Sequence, residues 1–510
     1  MRSFPRSFPL RTPSLFTLLA VLTVAVASTG CDSRFEDVND NPNEPEEVAT
    51  RLLLPDIIRS SVNTSVNTAH TTGNLVLQYT AKVSFATEID RYNWAGVGYW
   101  QPLYGDLRNV EDVIRLAQER DQPQYEGVGL VLKSWIFSML TNAYGDVPYS
   151  ESVAVQEGIE TPAYDRQEAI YRGMLADLRR ANDLLTPGSG AIQGDILYEG
   201  DIAKWKKLAN SLRLRLLMRL SEKDITLDLD ESNMSVSEAF QSITSAPDTA
   251  PVFTSNDDNA ALEYLGSRPN EWPRHTSRIG TFRTFKMSQT LTDTLKHFDD
   301  PRLSVFGDPT AASVADSVED RSPKFVGVPN GLTDAASDSF NEGLDFQSGL
   351  NFTRYFEEPD AAKGLIMTYA EVLFLKAEAA EQGWISADAQ THYRDAVEAS
   401  FGQYGQSTPS GYFGQPGVSY PTGDSEQQAL KRIGTQKWIA LFYTGLEGWF
   451  NWRRTGIPDI DPSVENVNSD EIPVRFRYPE SEQSLNADNY EAAIERQGAD
   501  DINTKMWLLE

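Results

Sequence analysis

Apolar residues recur along this chain with the period of helices. Leu103, Leu107, Val110, Ile114 and Ala117 follow the i, i+4, i+3 spacing that places them on one helical face, and Val128, Leu132, Trp135 and Met139 repeat it. Asp165, with Glu168 three residues on, has the pattern of a capping box for a third helix whose face carries Ile170, Met174, Leu178, Ala181 and Leu185. Pro187-Gly188-Ser189-Gly190 ends it. A fourth helix starting near Asp201 carries Trp205, Leu208, Leu212, Leu216 and Leu220 on one face, and Leu214, Leu217 and Met218 on another. Such a helix is expected to be buried on two sides. The pattern returns at 368–383, 387–404 and 425–454, with one short helix expected after Ala487. Ala370, Leu373, Ala377 and Ala380 can face Tyr393, Ala396, Val397 and Ser400, and small residues there permit close approach. The predicted fold class is therefore mainly α, with tetratricopeptide-like helix pairs separated by long loop-rich insertions.

Residues 223–360 break the pattern. Asp, Ser, Asn, Thr, Pro and Gly dominate, and only 288–297 reads as a short helix. Ordered loops of this length are usually functional.

The first thirty residues read as a signal rather than as fold. Arg2, Arg6 and Arg11 precede an apolar run at 15–27, which ends in Ser28-Thr29-Gly30-Cys31. Small residues before a cysteine resemble the lipobox of bacterial lipoproteins, which implies cleavage before Cys31 and its lipidation; an ordinary signal peptide is the alternative. Residues 31–49 are acidic and rich in Asn and Pro, an extended tether. Asp37, Asn39 and Asn41 have the spacing of a calcium loop, but Pro42 and Val48 stand where its Gly and Glu belong.

Charge and composition exclude several classes. Of 510 residues 74 are acidic and 45 basic, a net charge of −29 that disfavours nucleic acid and anionic membrane surfaces. With one cysteine the chain has no internal disulfide and no CxxC motif, and its four histidines show no metal-binding spacing. No metal and no cofactor are expected. There is no Gly-x-Ser-x-Gly elbow, P-loop or dinucleotide fingerprint, so no enzyme activity is expected.

One segment stands out as a candidate binding surface. Arg91-Tyr92-Asn93-Trp94-Ala95-Gly96-Val97-Gly98-Tyr99-Trp100 combines large aromatic residues with Gly and Asn. As a loop it would present Tyr92, Trp94, Tyr99 and Trp100 as flat rings suited to sugar faces, with Asp90, Arg91 and Asn93 bonding hydroxyls. The alternative is an aromatic plug sealing the helices. Trp272, with Asn270, Glu271 and Arg274 between Pro269 and Pro273, is a second candidate, and Tyr264 and Tyr355 are further ones. Asn210, Arg213, Arg215, Glu371 and Glu378 lie among apolar residues and are expected to make polar bonds inside the bundle, a ligand clamp being the alternative. Trp438, Trp449 and Trp452 are expected in the core.

Seven strings, in order, resemble the SusD/RagB family of surface lipoproteins: Phe35-Glu-Asp-Val-Asn-Asp-Asn-Pro-Asn, Ala143-Tyr-Gly-Asp-Val-Pro-Tyr-Ser-Glu, Lys204-Trp-Lys-Lys-Leu-Ala-Asn-Ser-Leu-Arg-Leu-Arg, Thr368-Tyr-Ala-Glu-Val-Leu-Phe-Leu-Lys-Ala-Glu-Ala-Ala, Gln436-Lys-Trp-Ile-Ala-Leu-Phe, Gly445-Leu-Glu-Gly-Trp-Phe-Asn-Trp-Arg-Arg-Thr-Gly and Tyr478-Pro-Glu-Ser-Glu-Gln-Ser-Leu-Asn. The resemblance implies a lipid-anchored outer-membrane protein at the cell surface, folded over 50–510 as a single α-helical domain with the 223–360 insertion on its ligand side. It implies capture of a nutrient, an oligosaccharide or peptide, and its delivery to a SusC-like TonB-dependent transporter. A surface hydrolase and a helical adaptor without a small ligand are the alternatives. No family motif fixes Tyr92, Asn93, Trp94, Tyr99, Trp100, Trp272 or Arg274.

Overall fold

The computed structural model describes residues 49–510 apart from 85–88, 154–157, 189, 230–231, 316–323, 422 and 424. The signal segment, Cys31 and the tether lie outside the described residues. Thr50–Glu510 forms one compact unit.

Helices dominate it. The longer ones are α1 (Thr50–Thr68), α2 (Trp100–Glu119), α3 (Pro123–Tyr144), α4 (Gln167–Leu184), α5 (Ile202–Arg219), α6 (Val236–Thr244), α7 (Gln289–His297), α8 (Tyr369–Glu381), α9 (Ala389–Gln403), α10 (Glu426–Ala440), α11 (Glu447–Thr455) and α12 (Ala487–Gln497). Consecutive helices pack as neighbours from α1 to α5, α5 packs on α8, and α8 packs on α9 and α10. Successive antiparallel pairs of this kind are the arrangement the facing small residues predict, and Ala370, Ala377, Tyr393, Ala396 and Val397 are all buried. Among the described residues strands form only two-stranded ribbons: β1 (Thr80–Lys82) with β5 (Phe285–Met287), β2 (Thr226–Leu229) with β3 (Ser232–Ser235), and β4 (Ala260–Glu263) with β6 (Lys363–Met367).

Local sequence sets most helix starts. Asp201 caps α5 by accepting from the backbone N–H of Ala203 and Lys204, and Ser288 and Thr368 cap α7 and α8 in the same way. The cap expected at Asp165 is not made. Arg166 takes that position, while Val147 pairs with Asp165 and the Asp165 carboxylate accepts from the N–H groups of Tyr149 and Ser150 at 2.9 and 2.8 Å. The helix read over 425–454 is broken as well, because Tyr443 and Gly445 take positive φ and turn the chain between α10 and α11.

Gly145 ends α3 at φ +88°, where a Cβ would lie 1.7 Å from Gln497 Oε1. That side chain accepts from Asp146 N–H and donates to Tyr144 C=O, which locks α12 onto the end of α3.

Helix α5 is buried on nearly every side, and buried cations of α5 and α11 are matched by carboxylates there. Arg215 makes two 2.6 Å bonds to Glu371, Arg219 reaches Glu447 at 2.6 Å, and Arg454 reaches Glu378 at 2.6 Å. Burial pushes the Lys437 ammonium down to about 8, although Glu378 opposes the shift. These groups bond one another inside the bundle, as their apolar sequence context implies, and removing one partner of such a pair costs about 3–5 kcal/mol.

Candidate functional site

The rings expected at the surface are inside. Tyr92, Trp94, Tyr99 and Trp100 are all 5% exposed or less. Trp94 lies edge-on to Trp449 and Phe476 at 5.5 and 5.4 Å and donates its indole N–H to Ile89 C=O. Tyr99 donates to Met139 C=O at 2.8 Å. Trp100 opens α2 and packs among Tyr104, Tyr144, Tyr164 and Tyr478. Tyr92, at φ +64°, accepts from Ser463 N–H. Asn93 alone of this group points to solvent. The segment is a plug between α2, α3, α11 and the irregular 473–478 stretch. Each ring removes a large apolar area from water there, and the polar tips of Tyr92, Trp94 and Tyr99 find backbone partners. The exposed aromatic loop is thereby corrected to core.

Trp272 is also buried, at 1% exposure, and donates to Tyr355 C=O. Its ring is part of the wall of a cavity of about 700 Å³. Arg274 is half-buried and reaches Asn67 Oδ1 at 3.4 Å. The seven expected positions are thus not brought together on one open surface.

Partly open rings occur elsewhere, in a cleft of about 860 Å³ built wholly from residues 282–352. Phe282, on a short 3₁₀ turn, meets Phe352 at 4.6 Å and buried Phe356 at 5.7 Å. Phe282 and Phe352 are half-buried, and Phe346 is 38% exposed. Asp308, Asp338, Glu342, Asp345 and Arg283 supply charged groups around them.

The backbone that carries these side chains is tied down. Lys286, on β5, donates to Leu344 C=O at 2.8 Å and Gln347 C=O at 3.3 Å. Gln347 donates to Ser337 and Phe340 carbonyls, and Asn341 donates to Phe346 C=O at 2.7 Å. The Asp308 carboxylate accepts from Phe352 N–H at 2.8 Å. Burial pushes the Lys286 ammonium down to about 8, opposed by Asp345. Gln347 Oε1 is buried without a partner. The size suits a small ligand, and partly open rings beside carboxylates and a guanidinium match apolar faces and hydroxyls of one molecule. Periodicity could not find these residues, because the turns at 281–284 and 340–346 have none. The available signal was Phe among Gly, Asp and Asn within the long irregular segment.

Among the described residues, no group of three His, Cys, Asp or Glu side chains is placed to hold a metal ion. No helix among them is long and apolar enough to cross a membrane.

The comparisons define the class. A family model described as "Starch-binding associating with outer membrane" matches residues 42–479. The chain belongs to this SusD-like family. The fold is similar to that of a SusD homologue from Bacteroides fragilis at 28% identity and TM-score 0.77, covering 91% of this chain and 100% of that one. A second B. fragilis SusD homologue aligns at 25% identity and TM-score 0.78, with the same coverage of 91% and 100%. A chitin-binding protein aligns at 27% identity and TM-score 0.75, covering 90% of this chain and 99% of that one. No curated protein matches the chain in sequence. SusD-like proteins are carbohydrate-binding rather than catalytic.

Proposed function

We propose that this protein captures a glycan in the phenylalanine-lined cleft and passes it, without cleaving it, to a SusC-like TonB-dependent transporter, while anchored at the cell surface through lipid on Cys31. The observation that carries the reading is the set of partly open rings, Phe282, Phe346 and Phe352, held on braced loops beside carboxylates. The starch-binding description of the family and the chitin-binding neighbour support a glycan as the ligand. A delivery protein must release its cargo, so a Kd of roughly micromolar to millimolar is expected.

Calorimetric titration with maltooligosaccharides and chitooligosaccharides tests the ligand. Binding that Phe346→Ala weakens supports the site; binding indifferent to both Phe346→Ala and Phe282→Ala removes it. Extraction in mild detergent tests the partner: a co-purifying β-barrel is expected, and a lipidated monomer alone counts against delivery. Cys31→Ser should leave the precursor uncleaved or release it from the membrane.

A further inference from the structure

The cavity behind Trp272 is separate from the phenylalanine cleft, with which it shares no lining residue. The start of α5, the β4–β6 ribbon, the end of α9 and the turn after α10 enclose it. Its inner wall is aromatic and rigid: Tyr355 and Tyr443 stack at 4.9 Å with planes 10° apart, and both are buried. These rings offer little open face, so the polar groups decide what the cavity accepts.

Three cations line it. Lys363 is paired with Glu263 at 2.5 Å. Lys204 lies 5.8 Å from the Tyr198 ring. Arg354 lies over the Tyr404 ring at 5.2 Å, close to Tyr355 at 5.9 Å. Its Nε is buried and has no hydrogen-bond partner, and no carboxylate of the described residues forms an ion pair with it. A buried guanidinium nitrogen without an acceptor is costly, whereas Glu199 and Asp257, the lining acids that form no ion pair among the described residues, are exposed and solvated. Arg354 is thus a half-buried lining cation whose guanidinium faces the Tyr355 hydroxyl and has no carboxylate among the described residues to balance it. A carboxylate is the acceptor whose planar shape matches the guanidinium fork.

We infer that this cavity is a second binding site, for a small carboxylate-bearing molecule held by Arg354, with Lys204 a second cation on the cavity wall. A sugar acid and an amino acid share that chemistry.

Calorimetry on the full mature chain with digalacturonate, glutamate and galactobiose as probes tests the inference. Digalacturonate or glutamate should bind, and galactobiose should bind at least about tenfold more weakly, the scale of one charged hydrogen bond. Whichever acid binds identifies the source of the carboxylate. Arg354→Gln should lower that affinity about tenfold, and Arg354→Lys should lower it less. Phe346→Ala should leave it unchanged, which separates this site from the glycan cleft. If Arg354→Gln unfolds, Arg354→Lys and the comparison of acidic with neutral probes on the parent protein still decide. Equal binding of galactobiose and digalacturonate, or no binding of either acid, overturns the inference.

Discussion

Residues 91–100 and residues 281–352 both set aromatic rings in irregular backbone, and the two regions use them in opposite ways. In the first, Trp94 and Trp100 point inward and meet Trp449, Phe476, Tyr144 and Tyr478. In the second, Phe282 and Phe346 border a cleft while Lys286, Gln347 and Asn341 hold the backbone beneath them. What differs is the company each segment keeps. The first runs directly into α2 and lies under α11 and the 473–478 stretch, so its rings complete a core. The second is braced mainly by polar bonds to its own carbonyls, which leaves ring faces available. Aromatic composition therefore does not distinguish a plug from a platform; the source of the bracing does.

The largest effect should break the first region. Trp94→Ala or Trp100→Ala should cost about 3–5 kcal/mol of stability, as large aromatic truncations in a core do. Urea denaturation measures this, and a shift under about 1 kcal/mol would mean the rings are not core.

The next effect belongs to the second region and falls on binding. Phe346→Ala should lose about 1 kcal/mol of glycan affinity, a several-fold rise in Kd, with the unfolding midpoint nearly unchanged. Phe282→Ala should lose affinity by a similar factor and also some stability, because that ring packs on Phe352 and Phe356. A Phe346→Ala variant that destabilised as strongly as Trp94→Ala would erase the contrast.

A smaller effect is electrostatic. Burial holds Lys286 at about 8, below the 10.5 of a free lysine. Between those values the unfolded chain keeps a proton that the folded chain gives up, so stability should rise with pH from about 8 towards 10.5. Lys286→Met should flatten that part of the profile, and an unchanged slope would mean the ammonium is not desolvated in the fold.

The smallest effect is expected at Asn93, which is exposed beside the plug. Asn93→Ala should change stability by no more than about 0.5 kcal/mol, with glycan affinity unaltered.

The sequence by itself determined the helices and their pairing. A 3.6-residue period of apolar positions is a property of one segment, and caps such as Asp201, Ser288 and Thr368 act within three residues of themselves. It also indicated that Arg215, Glu371 and Glu378 make polar bonds inside the bundle, because buried charges must find partners; which partners they find, Glu371 for Arg215 and Arg454 for Glu378, came from the packing. The family was legible too, since its strings are contiguous.

Only the tertiary structure decided which rings face water. Burial of Trp94 depends on Trp449 and Phe476, more than 350 residues away, and no local spacing carries that information. Asp165 likewise left its expected cap because Val147, Tyr149 and Ser150 are brought beside it. The cleft is the same kind of product: Lys286 meets the carbonyls of Leu344 and Gln347 across about sixty residues of chain. A binding surface is what remains open after long-range packing has covered everything else, so its residues are fixed by contacts between segments rather than by the pattern within any one of them.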